Sequence, residues 1–122
     1  MREILFRAKR RVDYGDPTEW QFGVPFKDGD GDWIMKDSCV ERVIQNDTLG
    51  QFTGLTDKNG VKIFEGDIIE YESKRYSINY LSHYARFAAV KPNTVFTVFA
   101  YQRGKVIGNI YDNPELLRED GE

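Results

Sequence analysis

The chain has little of the chemistry on which most enzymes are built. Its 122 residues include one cysteine, Cys39, and one histidine, His83. A single cysteine cannot close an internal disulfide, which suits a reducing cytoplasm. One Cys and one His cannot assemble a zinc site, and mechanisms that need several imidazoles are excluded. There is no phosphate-cradling Walker loop and no dinucleotide fingerprint after a strand. Ser82 and His83 are neighbours, but adjacent strand residues point to opposite faces, and no nucleophile elbow is present. His83 reads as an exposed turn residue. Cys39 reads as a small buried apolar residue, with nothing local to lower its pKa. No apolar run approaches the roughly 20 residues that span a bilayer, and the basic N-terminus lacks the apolar stretch of a secretion signal. The expectation is a non-enzymatic cytoplasmic protein with no cofactor, no metal and no membrane partner.

What is present is a globular composition. Hydrophobic residues make up 40% and aromatic residues 14%, enough for one packed core. The length fits a single domain over residues 1–122. No linker, internal repeat or low-complexity segment interrupts it.

Charge is uneven although the net value is only −3. The first twelve residues hold Arg2, Arg7, Lys9, Arg10 and Arg11 against Glu3, while the last eleven hold Asp112, Glu115, Glu119, Asp120 and Glu122 against Arg118. A basic cluster can grip phosphates, or it can lie beside an acidic segment of the same or another protomer. The pI near 5.2 favours the second, since nucleic-acid domains usually carry a basic surplus. The nucleic-acid alternative rests on Arg7, Lys9, Arg10, Arg11, Lys74, Arg75 and Arg86. The last three are interleaved with Tyr71, Tyr76, Tyr80, Tyr84 and Phe87, rings that could stack on bases or simply fill a core.

The patterning is that of strands. Ile4, Phe6 and Ala8 share one face of a first strand. Trp20, Phe22, Val24 and Phe26 alternate with Gln21, Gly23 and Pro25, a period of two that predicts one buried face. Pro25 has no amide donor, which places this strand at an edge or a bulge. Trp33 to Lys36 returns antiparallel, and Cys39 to Ile44 is a third run. Asn59-Gly60 predicts a type I′ hairpin turn, with the Asp57 side chain folded back onto amides two residues on. Gly66 marks a bend. Lys74 to Leu81 and Ala85 to Lys91 form a further pair around a Ser82-His83-Tyr84 turn. Thr94 to Tyr101 is apolar nearly throughout and predicts a central strand covered on both faces. Val106 to Tyr111 is the last strand. Asn113-Pro114-Glu115 then has the form of a helix start. About nine short strands with turn signals between them predict an all-β fold, a small, partly open barrel or sandwich of antiparallel strands. The Gly66-Asp67 corner makes it SH3-like in part, and a short C-terminal helix follows.

One turn invites a metal reading. Asp28-Gly29-Asp30-Gly31-Asp32 places carboxylates at alternate positions, as a calcium loop does. The rest of that pattern fails: Trp33 stands where the turn glycine belongs, and Cys39 where a bidentate Glu belongs. A solvated hairpin turn is the expectation.

Two ordered blocks carry a family resemblance. Gln51-Phe52-Thr53-Gly54-Leu55 through Asp57, Gly60, Gly66 and Asp67 to Ile69 resembles the signature segment of the YopX-like proteins of phages and prophages. Val106-Ile107-Gly108-Asn109-Ile110-Tyr111, with Asn113-Pro114-Glu115-Leu116-Leu117, is similar to its C-terminal motif, and Ile4 to Lys9 resembles its start. The motif positions are Gln51, Thr53, Gly54, Asp57, Gly60, Gly66, Asp67, Gly108, Asn109 and Pro114. The resemblance implies a small, mostly β protein of phage origin, at work in a bacterial host cell, with no established biochemical role. Together with the residues it leads to an interaction module that binds a host or phage protein, as a homo-oligomer, through a β-edge or an aromatic patch.

Overall fold

A computed structural model describes residues 3–11, 19–37, 40–92 and 97–118. Cys39, the residues between Pro92 and Thr97, and the acidic tail after Arg118 lie outside the described residues. The strands are β1 (Phe6–Lys9), β2 (Trp20–Lys27), β3 (Trp33–Asp37), β4 (Val40–Val43), β5 (Gly50–Thr56), β6 (Lys62–Phe64), β7 (Asp67–Tyr71), β8 (Lys74–Leu81), β9 (Arg86–Val90), β10 (Thr97–Val98) and β11 (Lys105–Asn109). They order as β4-β3-β2-β1-β5-β6 in one sheet and β10-β9-β8-β7-β11 in the other. The fold is all-β and its sheets are open and antiparallel. Its helical pieces among the described residues are single 3-10 turns at Asn46–Thr48, Tyr101–Arg103 and Pro114–Leu117. The chain forms two compact units, Met1–Phe52 and Thr53–Glu122.

In the first unit Ala8, Met35 and Ile44 are buried together, with Phe6, Trp33 and Leu49 packed against them. The registers Ala8↔Gln21 and Pro25↔Met35 show which face of β2 joins this cluster. It is the Gln21, Gly23 and Pro25 face. Gln21 is buried, whereas Phe22, Val24 and Phe26 are 42%, 56% and 41% exposed. The expected apolar row exists, but it faces outward. β1 and β3 supply the large side chains of the packed face, and β2 contributes small or polar ones that leave room for them. Gly23 has φ near +152°, and a Cβ there would collide with the Lys36 carbonyl oxygen. Pro25 is also not on an edge strand. β2 pairs with β1 through Trp20–Gly23 and with β3 through Val24–Lys27, so Pro25 sits just past the change of partner.

The second unit is centred on Ile63, Ile69, Tyr76, Ile78, Ala89 and Tyr101, bordered by Tyr71, Phe87, Val98 and Val106. The registers Ile69↔Tyr76, Ile78↔Ala89 and Ile69↔Val106 put these strand residues on one face. The strand expected over Thr94 to Tyr101 is corrected. Thr94 to Phe96 lie outside the described residues; among the described ones only Thr97 and Val98 pair, and β10 stands at the edge of its sheet rather than at its centre. Tyr101 opens a 3-10 turn that drops its ring into the core.

Turn chemistry also differs from expectation. At Asp57–Gly60 the Gly60 amide donates to the Asp57 carbonyl at 3.0 Å, and the Asp57 amide donates to the Val61 carbonyl at 2.8 Å. Gly60 alone has positive φ, near +84°. This is a type I turn closed by a left-handed glycine, not a type I′ turn. The two-residue turn with both φ positive lies between β7 and β8, at Glu72 (51°) and Ser73 (67°). Pairing of Tyr71 with Lys74 there overrides the weaker preference of those residues.

Candidate functional site

The motif positions are mostly backbone fasteners. Asp57 is buried, and its Oδ1 accepts the amides of Asn59 (2.8 Å) and Val61 (2.9 Å). Its Oδ2 accepts the amide of Val106 in β11 at 2.9 Å. Burial pushes the Asp57 carboxyl pKa up, but those three hydrogen bonds, with Lys58 nearby, outweigh it and hold the pKa below its ordinary value. Asp67 is buried and accepts the Phe64 amide at 2.7 Å. Thr53 Oγ1 donates to the Ile63 carbonyl at 2.9 Å. Asn109 Oδ1 accepts the amides of Tyr111 (3.0 Å) and Asp112 (2.9 Å). Gly54 and Gly66 have positive φ, and a Cβ at Gly108 would press on Asn113 Oδ1. Pro114 opens the last 3-10 turn, where the Asn113 side chain accepts the Asn109 amide at 3.2 Å and does not cap the turn. Gln51 pairs with Phe6 across β1 and β5. These residues bind the chain to itself.

The cations proposed for phosphate contact divide between the two units, Arg7, Lys9, Arg10 and Arg11 in the first and Lys74, Arg75 and Arg86 in the second. Arg7 and Lys9 are buried, each 8% exposed, with charged ends 4.7 and 5.5 Å from the Trp20 ring centroid. Arg10 pairs with Glu19 and Arg11 with Asp32, both at 3.2 Å. In the second unit, Lys74 lies on the opposite face of β8 from Arg75. Arg75 Nη1 donates to the Leu116 carbonyl at 3.2 Å, and Arg75 Nε is 4.0 Å from Glu70. Arg86 lies 4.3 Å over the Phe99 ring.

The rings of residues 71 to 87 are divided. Tyr76 is buried, and burial, reinforced by Glu72 and Tyr71, pushes its phenol pKa up. Tyr80 and Tyr84 are 49% and 64% exposed. Tyr80 meets Phe87 edge-on, and Tyr84 meets Phe99 the same way.

Sequence reasoning missed the exposed β2 row. It also missed that the Asp28 and Asp57 turns are the same device. Asp28 Oδ1 accepts the amides of Asp30 (3.0 Å) and Asp32 (2.8 Å). The Gly31 amide donates to the Asp28 carbonyl at 3.2 Å, and the Asp28 amide to the Asp32 carbonyl at 2.9 Å. Gly31 has φ near +88°. Every one of these bonds has its counterpart at Asp57-Lys58-Asn59-Gly60-Val61. The shared signal was Asp-x-Asp/Asn-Gly. The alternating carboxylates thus have a structural use: Asp28 caps the turn, and Asp32 holds Arg11. Beside this turn lies an open cleft of about 460 Å³, walled by Arg11, Asp32, Trp33, Ile44, Asn46 and Asp47.

Comparison with known proteins agrees with this picture of a shared scaffold. No curated protein matches the chain. A solved structure, protein EF1440 from Enterococcus faecalis, is similar at 25% identity and a TM-score of 0.52, covering 97% of this chain and 100% of that one. The family model described as YopX protein matches residues 7–118. The chain therefore belongs to the YopX family.

Proposed function

We propose that this protein is a non-enzymatic interaction module that docks another protein, encoded by phage or host, in the bacterial cytoplasm. The observation that carries the reading is the row of Phe22, Val24 and Phe26, which stands outward on one face of β2. Three large apolar side chains at alternate positions offer a contact strip for an apolar protein surface. Protein is favoured over nucleic acid because the candidate cations already have intramolecular partners and the net charge is −3. The two most buried carboxylates among the described residues, Asp57 and Asp67, hold backbone amides, which supports a scaffold role for them over acid–base work.

The test compares capture from nuclease-treated host lysate by the wild-type chain and by a Phe22→Ser/Phe26→Ser variant. The reading expects one protein retained by the first and lost by the second. Retention that disappears on nuclease treatment or moderate salt would favour the nucleic-acid alternative. Homo-oligomerisation belongs to the same reading, and sedimentation showing a monomer at all concentrations would remove it.

A further inference from the structure

No Asp or Glu occurs between Glu72 and Asp112, although that stretch holds six Lys and Arg and runs from β8 through β11. Most of these cations are engaged within the chain. Arg75 and Lys105 both lie against Glu70, at 4.0 and 3.8 Å, and Lys74 and Lys91 have contacts of their own. Arg103 ends the Tyr101–Arg103 turn beside β7. Arg86 differs from all of them. It is exposed at the start of β9, with its guanidinium carbon 4.3 Å from the Phe99 ring centroid. That contact engages the face of the guanidinium, and among the described residues no oxygen accepts its N–H donors.

The turn before Arg86 builds the rest of the cluster. The Tyr84 amide donates to the Leu81 carbonyl at 3.1 Å, and the Ala85 amide to the Ser82 carbonyl at 3.2 Å. Ala85 takes φ near +51°, a left-handed conformation that glycine holds with less strain. The reversal there brings Tyr84 and Arg86 to the same ring. Tyr84 meets Phe99 edge-on at 5.5 Å while remaining 64% exposed. An arginine and a tyrosine already held against a third side chain have little freedom left to lose on binding, which suits them as interface anchors.

We infer that Tyr84, Phe99 and Arg86 form a second docking point, which receives an acidic segment of a partner protein. One partner carboxylate takes the N–H fork of Arg86, and an apolar neighbour of that carboxylate lies against the exposed Tyr84 ring. Charge complementarity selects an acid, because the stretch from β8 to β11 carries no carboxylate to compete for the fork. Protein is favoured over nucleic acid here as well. A chain of phosphates needs a row of cations along a groove, whereas Arg75 and Lys105 are held at Glu70 on β7, two strands from β9, and a lone fork matches a single carboxylate.

This inference rests on the protein-binding reading but lies in the other unit from the β2 row, so the two can fail separately. The probe is an acetylated hexapeptide of alternating Asp and Phe, titrated into the full ¹⁵N-labelled chain. The expected result is a saturable shift of the Arg86 Nε–H resonance together with the Tyr84 amide. Arg86→Lys keeps the charge and loses the fork, and should weaken binding roughly tenfold. Arg103→Lys, the same exchange away from the cluster, should change it by less than about twofold. The same peptide with Asn in place of Asp should not bind. No saturable shift at millimolar peptide, equal weakening by both variants, or equal binding of the Asn peptide would overturn the inference. Tighter binding of an octathymidylate at the same resonances would put nucleic acid there and overturn the choice of partner. Loss of a captured protein with Phe22→Ser/Phe26→Ser, in a chain whose Arg86 ignores the peptide, would overturn this inference and leave the protein-binding reading standing.

Discussion

Asp57 and Val106 are 49 residues apart in sequence, and the Asp57 carboxylate accepts the Val106 amide at 2.9 Å. That bond fastens the turn between β5 and β6 to β11, while the other oxygen of the same carboxylate closes the turn itself. The first signature block of the family and its C-terminal block meet at this carboxylate. Replacing Asp57 with Ala strips three amides of their acceptor. It should cost about 3 kcal/mol or more, since hydrogen bonds to a buried charged group are each worth about 1.5–3 kcal/mol. Asp57→Asn keeps the acceptor for two of them and should cost roughly half as much. Urea unfolding followed by circular dichroism measures both.

The same carboxylate gives the second unit an acid limit. Its folded-state pKa is depressed, so its contribution is full above the unfolded value near 3.8 and is lost as pH falls through the folded value. Stability should therefore drop below about pH 4, and Asp57→Asn should flatten that part of the profile. An unchanged acid limb in the variant would assign the loss to other carboxylates.

Glu72 and Ser73 occupy left-handed conformations that suit Asn and Gly better. Replacing the pair with Asn-Gly should stabilise the chain by about 1 kcal/mol, raising the urea midpoint with no change of slope.

Gly23 lies where β2 changes partner. Gly23→Ala would drive a methyl group into the Lys36 carbonyl at a backbone angle that L-residues avoid. A loss of about 2 kcal/mol or more is expected, read from the same unfolding curves. Val24→Ser, one residue on and more than half exposed, should stay within about 0.5 kcal/mol of the wild type.

Much of the local architecture was legible in the residues. The Asp57 side chain caps its own turn, Gly66 bends the chain, and the turn expected at Ser82-His83-Tyr84 is present but takes in Ala85 as well, so the returning strand starts at Arg86. A period of two announced a two-faced strand at Trp20–Phe26, but periodicity does not say which face is covered. That was decided by Met35 and Ala8 on the neighbouring strands. Asn59-Gly60 signalled the hairpin correctly and its turn type wrongly, because closure from Asp57 to Val61 fixes a loop with one left-handed residue. The bond from Val106 to Asp57 spans too much chain for any local pattern to reveal. For the same reason, intramolecular partners for Arg7, Lys9, Arg10 and Arg11 could not be read from their clustering.

The central claim is that the outward β2 row binds protein by apolar burial. It is tested most directly by titration calorimetry of the purified captured partner into this chain, over a range of temperatures and salt concentrations. Apolar docking predicts a negative heat-capacity change, a Kd nearly constant between about 50 and 200 mM salt, and about tenfold weaker binding for Val24→Ser. A Kd that rises steeply with salt and is indifferent to Val24→Ser would contradict it.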